Sequence, residues 1–145
     1  MKSPHQIFPL KTIGLLGGMS RQATAAYYRL INEGIQQALG GHHADELELY
    51  SVNFQHIEAF VHNEQWEEAA LYLVQKAQHI ERAGADFLFL ATNTMHQVAP
   101  HITAAIQIPF IHIIDVTAEA ICFYSGKFQV IFPRQDQDRC QKHSE

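Results

Sequence analysis

The chain has 145 residues, 47% hydrophobic and 17% charged, which is ordinary for one folded globular domain and unlike a disordered chain. Its formal net charge is −5 and its pI about 6.0, without the clustered Lys and Arg that nucleic-acid phosphates demand, so no nucleic-acid partner is expected. Met1 to Leu10 lacks the apolar core and cleavage site of a signal peptide, and no apolar run approaches the roughly 20 residues of a membrane span, so a cytoplasmic protein with no membrane partner is expected.

Lys11 to Leu16 (KTIGLL) is a short β-branched run ending in Gly17-Gly18, a strand followed by a turn. Ser20 can cap the helix that follows, whose face of Tyr27, Ile31 and Ile35, with Tyr28 and Leu39 beside it, runs until Gly40-Gly41 stops it. Leu47 to Phe54 (LELYSVNF) reads as the second strand. A long helix is predicted from about Glu64 to Arg82, with Trp66, Ala69, Ala70, Leu73, Ala77 and Ile80 on one face and Gly84 as its stop. Asp86 to Leu90 (DFLFL) is the third strand, continuous in its hydrophobicity after Asp86, as befits one covered on both faces. Thr94 to Ile106 is predicted helical, with Pro100 a kink or a break between two short helices. Pro109 to Ile114 (PFIHII) is predicted as the fourth strand, and Val116 to Ile121 opens another helix. Gly126 to Phe132 can begin a fifth strand, whereas Pro133 to Glu145 is polar and aperiodic and reads as a disordered end.

This alternation implies βαβ crossovers and an α/β fold, a parallel sheet flanked by helices on both faces. Ligands in such sheets sit at the carboxyl ends of the strands. That rule selects Gly17 to Ser20, Asn53 to Gln55, Ala91 to His96, and Asp115 to Thr117.

Two of these segments carry chemistry. The loop IGLLGGMS, between a strand and a helix, offers backbone N–H groups to an anion, although it lacks the GxGxxG and GxxxxGK[ST] spacings; a plain tight turn is the competing reading. In ATNTMH, the polar Thr92, Asn93, Thr94 and His96 follow directly on an apolar strand, either capping the next helix or binding a small polar ligand. His42-His43 with Asp45 and Glu46 lacks a metal-ligand helix spacing, so no metal is expected there. His112 reads as a core histidine and Cys122 as packing, and Cys140 has no activating partner in the sequence.

The blocks IGLLGGMS with YYRLIN, ERAGADFLFLATNTMH, and PFIHIIDVTAEAI resemble those of the aspartate/glutamate racemases, in that family's order and spacing from about Lys11 to Ile121. The resemblance implies that residues 1–125 form the N-terminal α/β domain, one half of a two-domain protein with its active site in the cleft between halves. It implies a cofactor-independent isomerase of amino-acid metabolism, using neither pyridoxal phosphate nor metal, with aspartate or glutamate as substrate. One group removes the α-proton and another returns a proton to the opposite face, usually a cysteine from each domain. A thiol, with a reference pKa near 8.5 that surroundings can tune, suits both tasks.

Carried over by position, the family's Cys-Asn-Thr is here Thr92-Asn93-Thr94, so Thr92 stands where the first catalytic cysteine would be. Asn93 and Thr94 match residues that grip the substrate. Met19 and Ser20 match the loop that closes over it, and the aromatic usual after that Ser is replaced by Arg21. Thr117, beside Asp115, matches a strand-end substrate contact, and Gln55 lies at the second strand end, where an acidic residue is more usual than Asn53. His96 matches the family's histidine.

The second cysteine of the family belongs to the C-terminal domain, and Cys140 sits too early to replace it. After about Gly126 the family pattern dissolves into FPRQDQDRCQKHSE, so residues 126–145 are expected to be an aberrant tail produced by a frameshift or premature stop. The alternative to an active racemase is a truncated remnant that at most binds a small carboxylate or amino acid; a phosphate-binding module is a third reading. Surfaces meant for the inter-domain cleft would be exposed, and a homo-oligomer is expected from them.

Overall fold

The computed structural model describes residues 10–125, with side chains through residue 121. The chain divides into two compact units, Met1–Ile111 and His112–Glu145.

The first unit is built on a four-stranded parallel sheet in the order β2-β1-β3-β4. Strand β1 is Ile13–Gly17, β2 Leu47–Ser51, β3 Phe87–Leu90 and β4 Phe110–Ile111. The connecting helices are α1 (Arg21–Leu39), α2 (Phe54–His62), α3 (Trp66–Ala83) and α4 (Ala99–Ala105), with a 3₁₀ segment at Thr94–Val98 leading into α4.

Strand alternation puts Gly14, Leu16, Leu88 and Leu90 on one face and Ile13, Leu15, Phe87 and Phe89 on the other. Helix α3 presses on the first. A Cβ on Gly14 would lie 2.6 Å from Ile80 Cγ2, so only glycine lets the helix come this close. Helix α1 lies on the second face: a Cβ on Gly17 would sit 2.6 Å from Thr24 Oγ1, and the Tyr27 ring meets Phe89 edge-on, centroids 5.1 Å apart. The helices therefore cover both faces, as an α/β sheet of this class requires. The fully buried core gathers Leu16, Leu73, Ala77, Leu88, Leu90, Met95 and Ile102.

Local signals account for most boundaries. Ser20 caps α1 by accepting from Ala23 N–H at 3.2 Å, Gly40 ends that helix, and Gly84 ends α3 in a left-handed conformation. The predicted α3 stripe is the buried one: Ala69, Ala70, Leu73, Ala77 and Ile80 point inward, with Trp66 packed against them. Pro100 sits in the first turn of α4, after the break that separates it from the 3₁₀ segment. Two side chains pin the connections. Glu81 Oε1 accepts from Gln107 N–H at 2.6 Å and Ile108 N–H at 3.1 Å, and Asn32 Oδ1 accepts from Asp45 N–H at 3.1 Å. Burial pushes the Asp45 carboxyl above the usual carboxylate range; the charge of Glu46 adds to the shift and a bond from the Glu46 backbone opposes it.

Two predicted elements are corrected. The second strand stops at Ser51 instead of running to Phe54, and Phe54–His62 forms α2, a helix the apolar alternation of LELYSVNF concealed. Asn53 is the N-cap of α2, its side chain accepting from Gln55 N–H at 3.1 Å. PFIHII is not one strand either: only Phe110 and Ile111 pair with β3, opposite Leu88 and Phe89. The next residues already turn as helix α5 (Ile113–Ser125), and His112 C=O accepts from Val116 N–H at 3.2 Å. A short β-branched run satisfies both periods, and here the helix wins after two ladder positions.

In the second unit, α5 presents Ile114, Val116 and Ile121 at its surface. The predicted fifth strand, the tail and Cys140 lie outside the described residues, as does the Cys122 side chain. Among the described residues no helix is long and apolar enough to cross a membrane, and no group of three or more His, Cys, Asp or Glu is placed to hold a metal ion.

Candidate active site

Three strand ends are joined by their own backbones. Val52 N–H donates to Gly17 C=O and Ala91 N–H to Leu16 C=O, both at 2.9 Å, so the segments after β1, β2 and β3 leave the sheet side by side. The β1 turn requires Gly18, whose φ is +91°; a Cβ there would lie 2.4 Å from Val52 N. Gly18 N–H donates to Thr24 Oγ1 at 2.9 Å, and the Thr24 hydroxyl donates to Ser20 C=O at 2.9 Å. The Gly18 N–H is thus committed within the loop, and Ser20 Oγ is occupied by its cap.

After β3, the chain turns at Ala91-Thr92-Asn93 into the 3₁₀ segment. His96, 6% exposed, bonds through Nδ1 to Thr92 C=O. A carbonyl only accepts, so Nδ1 carries the proton in this bond. The ring also stands edge-on to Phe110, centroids 6.1 Å apart. His96 therefore fixes the backbone that presents Thr92, while Met95 is buried beneath it.

These ends open into a cavity of about 670 Å³, within the range of small-molecule sites. Of the residues expected at a substrate site, it brings together Met19, Ser20, Thr92, Asn93 and Thr94. Gln55 lies beside it, in a smaller recess of about 360 Å³ with Ala59 and Asn63, and donates from Nε2 to Glu58 Oε2 at 3.2 Å. Thr117 belongs to the second unit and stands in the first turns of α5, not at a strand end; its hydroxyl donates to Ile113 C=O at 2.7 Å.

The wall that sequence reasoning missed comes from α2 and α1. Phe54, Ile57, Glu58, Val61 and His62 line the cavity at i, i+3, i+4, i+7, i+8 spacing, one face of α2, with Ala23 and Tyr27 of α1 opposite. The signal was present: Asn53 is a good N-cap, and Ile57 and Val61 keep helical period behind it. Glu58 and His62 are the acid and the base among these additions. The remainder of the lining is largely apolar.

The Asp/Glu/hydantoin racemase family model matches residues 16–143, beyond residue 126, where sequence reading had the family pattern dissolve. A candidate Asp/Glu racemase from Yersinia pestis has a similar structure, with TM-score 0.75 and 44% identity over 77% of this chain and 49% of that one. An aspartate racemase homologue from Pyrococcus horikoshii OT3 gives TM-score 0.73 and 34% identity over 80% of this chain and 50% of the other. The chain spans about half the length of these two relatives. An aspartate racemase from Picrophilus torridus shares the fold, with TM-score 0.61 and 19% identity over 91% of this chain and 87% of that one. With the family model covering most of its length and two relatives above 30% identity, this chain belongs to the Asp/Glu/hydantoin racemase family.

Proposed function

We propose that the cavity is the substrate site of an amino-acid racemase of the aspartate/glutamate type, which moves the α-proton between two acid/base groups without pyridoxal phosphate or metal. The observation that carries this reading is the convergence of Met19, Ser20, Thr92, Asn93 and Thr94 on one cavity at the carboxyl ends of the strands. In this reading Thr92 is the proton handler on one face, Asn93 and Thr94 hold the substrate's polar groups, and Met19 and Ser20 close over it. By resemblance, Gln55 and Thr117 match positions that contact substrate in the family. A hydroxyl is a weak base at its free pKa and requires an activating neighbour. The His96 bond supplies orientation for Thr92, keeping its Cα in place. The setting is cytoplasmic amino-acid metabolism.

The test is incubation of the purified chain with each enantiomer of aspartate and glutamate in deuterated water. Two-base racemisation incorporates deuterium at Cα as the configuration inverts. Thr92→Ala should lower exchange by about a hundredfold or more, the scale of one acid/base group, with Thr92→Ser retaining part of it. The absence of exchange with any of the substrates would sink the racemase reading for this chain.

A second reading is favoured by the hydroxyl of Thr92, a far weaker acid than a thiol. With Thr92 too weak a proton handler for racemisation, the cavity would bind a small carboxylate or amino acid, and at most exchange deuterium with retention of configuration. Inversion against retention separates the two.

A further inference from the structure

We propose that Glu58 is the residue that holds the substrate's α-ammonium group and so selects amino acids over the corresponding plain carboxylic acids. This rests on the cavity being an amino-acid site. Helix α2 turns Glu58 into the cavity together with Phe54, Ile57, Val61 and His62, and Glu58 is the one carboxylate among the described residues of the lining. A zwitterion entering this space brings a positive charge that loses water, and a desolvated ammonium needs an anionic acceptor close by. The other oxygens at hand are neutral, and two of them are committed: Ser20 Oγ accepts from Ala23 N–H, and Thr92 C=O accepts from His96. Asn53 is spent as the α2 cap and does not line the cavity. Glu58 stands at the exposed edge of the cavity, and its Oε2 accepts from the exposed Gln55 Nε2 at 3.2 Å, which leaves Oε1 to meet an ammonium. Gln55, expected from its strand-end position to touch substrate, acts on this account through Glu58.

The full chain is titrated with aspartate and with succinate, which keeps both carboxylates and lacks the ammonium, and likewise with glutamate and glutarate. The wild type should favour the amino acid by about tenfold or more, as one charge-assisted bond allows. Glu58→Gln should reduce that preference to below about threefold while leaving succinate affinity within twofold. Glu58→Asp, which keeps the charge on a shorter arm, should restore part of it. A merely structural Glu58 would shift both ligands of a pair alike. An unchanged preference in Glu58→Gln overturns the proposal, as does a wild type that binds both ligands equally or neither. The racemase reading fails separately: a chain with a Glu58-dependent preference but no α-proton exchange keeps the ammonium site and loses the reaction. Exchange with KM unaltered in Glu58→Gln keeps the reaction and removes the ammonium site.

Discussion

The two faces of the sheet are built differently. On the side of α3 and α4, Leu16, Leu73, Ala77, Leu88, Leu90 and Ile102 are fully buried and interlock around one core. On the other side Leu15 is fully buried, but α1 itself buries only Thr24, while Tyr28, Leu30 and Leu39 stand 53%, 54% and 42% exposed and Leu49 of β2 is 44% exposed. The packed side holds the fold, whereas the open side holds the loop of the site with a few polar bonds and leaves apolar surface available for association. Most of the buried core lies in one layer, and the cavity is tied to it through the strand ends.

The sharpest way to break this comparison is one leucine on each side. Leu73→Ala removes a side chain with no exposure and should cost about 2–5 kcal/mol, read as a lower urea midpoint. Leu30→Ser, at 54% exposure, should stay within about 0.5 kcal/mol and should reduce self-association in sedimentation, especially with Tyr28→Ser. Comparable losses from Leu73 and Leu30 would mean that α1 is packed as firmly as α3.

Gly18→Ala probes the point where the open side meets the site. Its φ of +91° and a Cβ only 2.4 Å from Val52 N combine backbone strain with a clash against backbone that cannot swing aside. About 2–4 kcal/mol should be lost, and Met19 and Ser20 should be displaced from the cavity. A variant with wild-type melting would show that the turn can relax.

How far the sequence revealed these two sides follows from their physics. The α3 stripe repeats at helical period for about four turns of small and apolar residues, and β3 is continuously apolar, so both were legible. So was the strand-end cluster of Thr92, Asn93 and Thr94, because polar residues directly after a buried strand demand an explanation. Helix α2 was hidden because Tyr50, Val52 and Phe54 alternate like a strand through the cap at Asn53, and with it went one wall of the cavity, Glu58 and His62 included. The α5 boundary failed for a related reason: Ile111, Ile113 and Ile114 fit either period, and only tertiary pairing, which stops at Ile111, decides.

Glu81 tests a polar tie on the packed side. One oxygen receives both Gln107 and Ile108 N–H groups, fixing the turn that enters β4. Glu81→Ala should cost about 1–2 kcal/mol, because Gln107 is exposed and its N–H can turn to water while that of half-buried Ile108 is less able to. Hydrogen exchange should accelerate at Ile108 before it does at Leu88; uniform acceleration would mean that the tie supports the whole core.

The smallest effect lies on the open side, at Asp45, where α1 hands over to β2. Its Oδ2 is buried without a hydrogen-bond partner among the described residues, and burial raises its pKa from the ordinary 3.8. The folded state therefore holds the proton more tightly than the unfolded chain. The resulting stabilisation is present below the unfolded value and is lost as pH rises through the folded one. At neutral pH the ionised group is a small liability, and Asp45→Asn, neutral at every pH, should raise stability by no more than about 0.5 kcal/mol. That gain should fade as the pH is lowered below 3.8, where both chains carry a neutral side chain. A loss of stability at neutral pH would mean that the bond from the Glu46 backbone outweighs the burial, and that this corner of the open side is better satisfied than its unpartnered oxygen suggests.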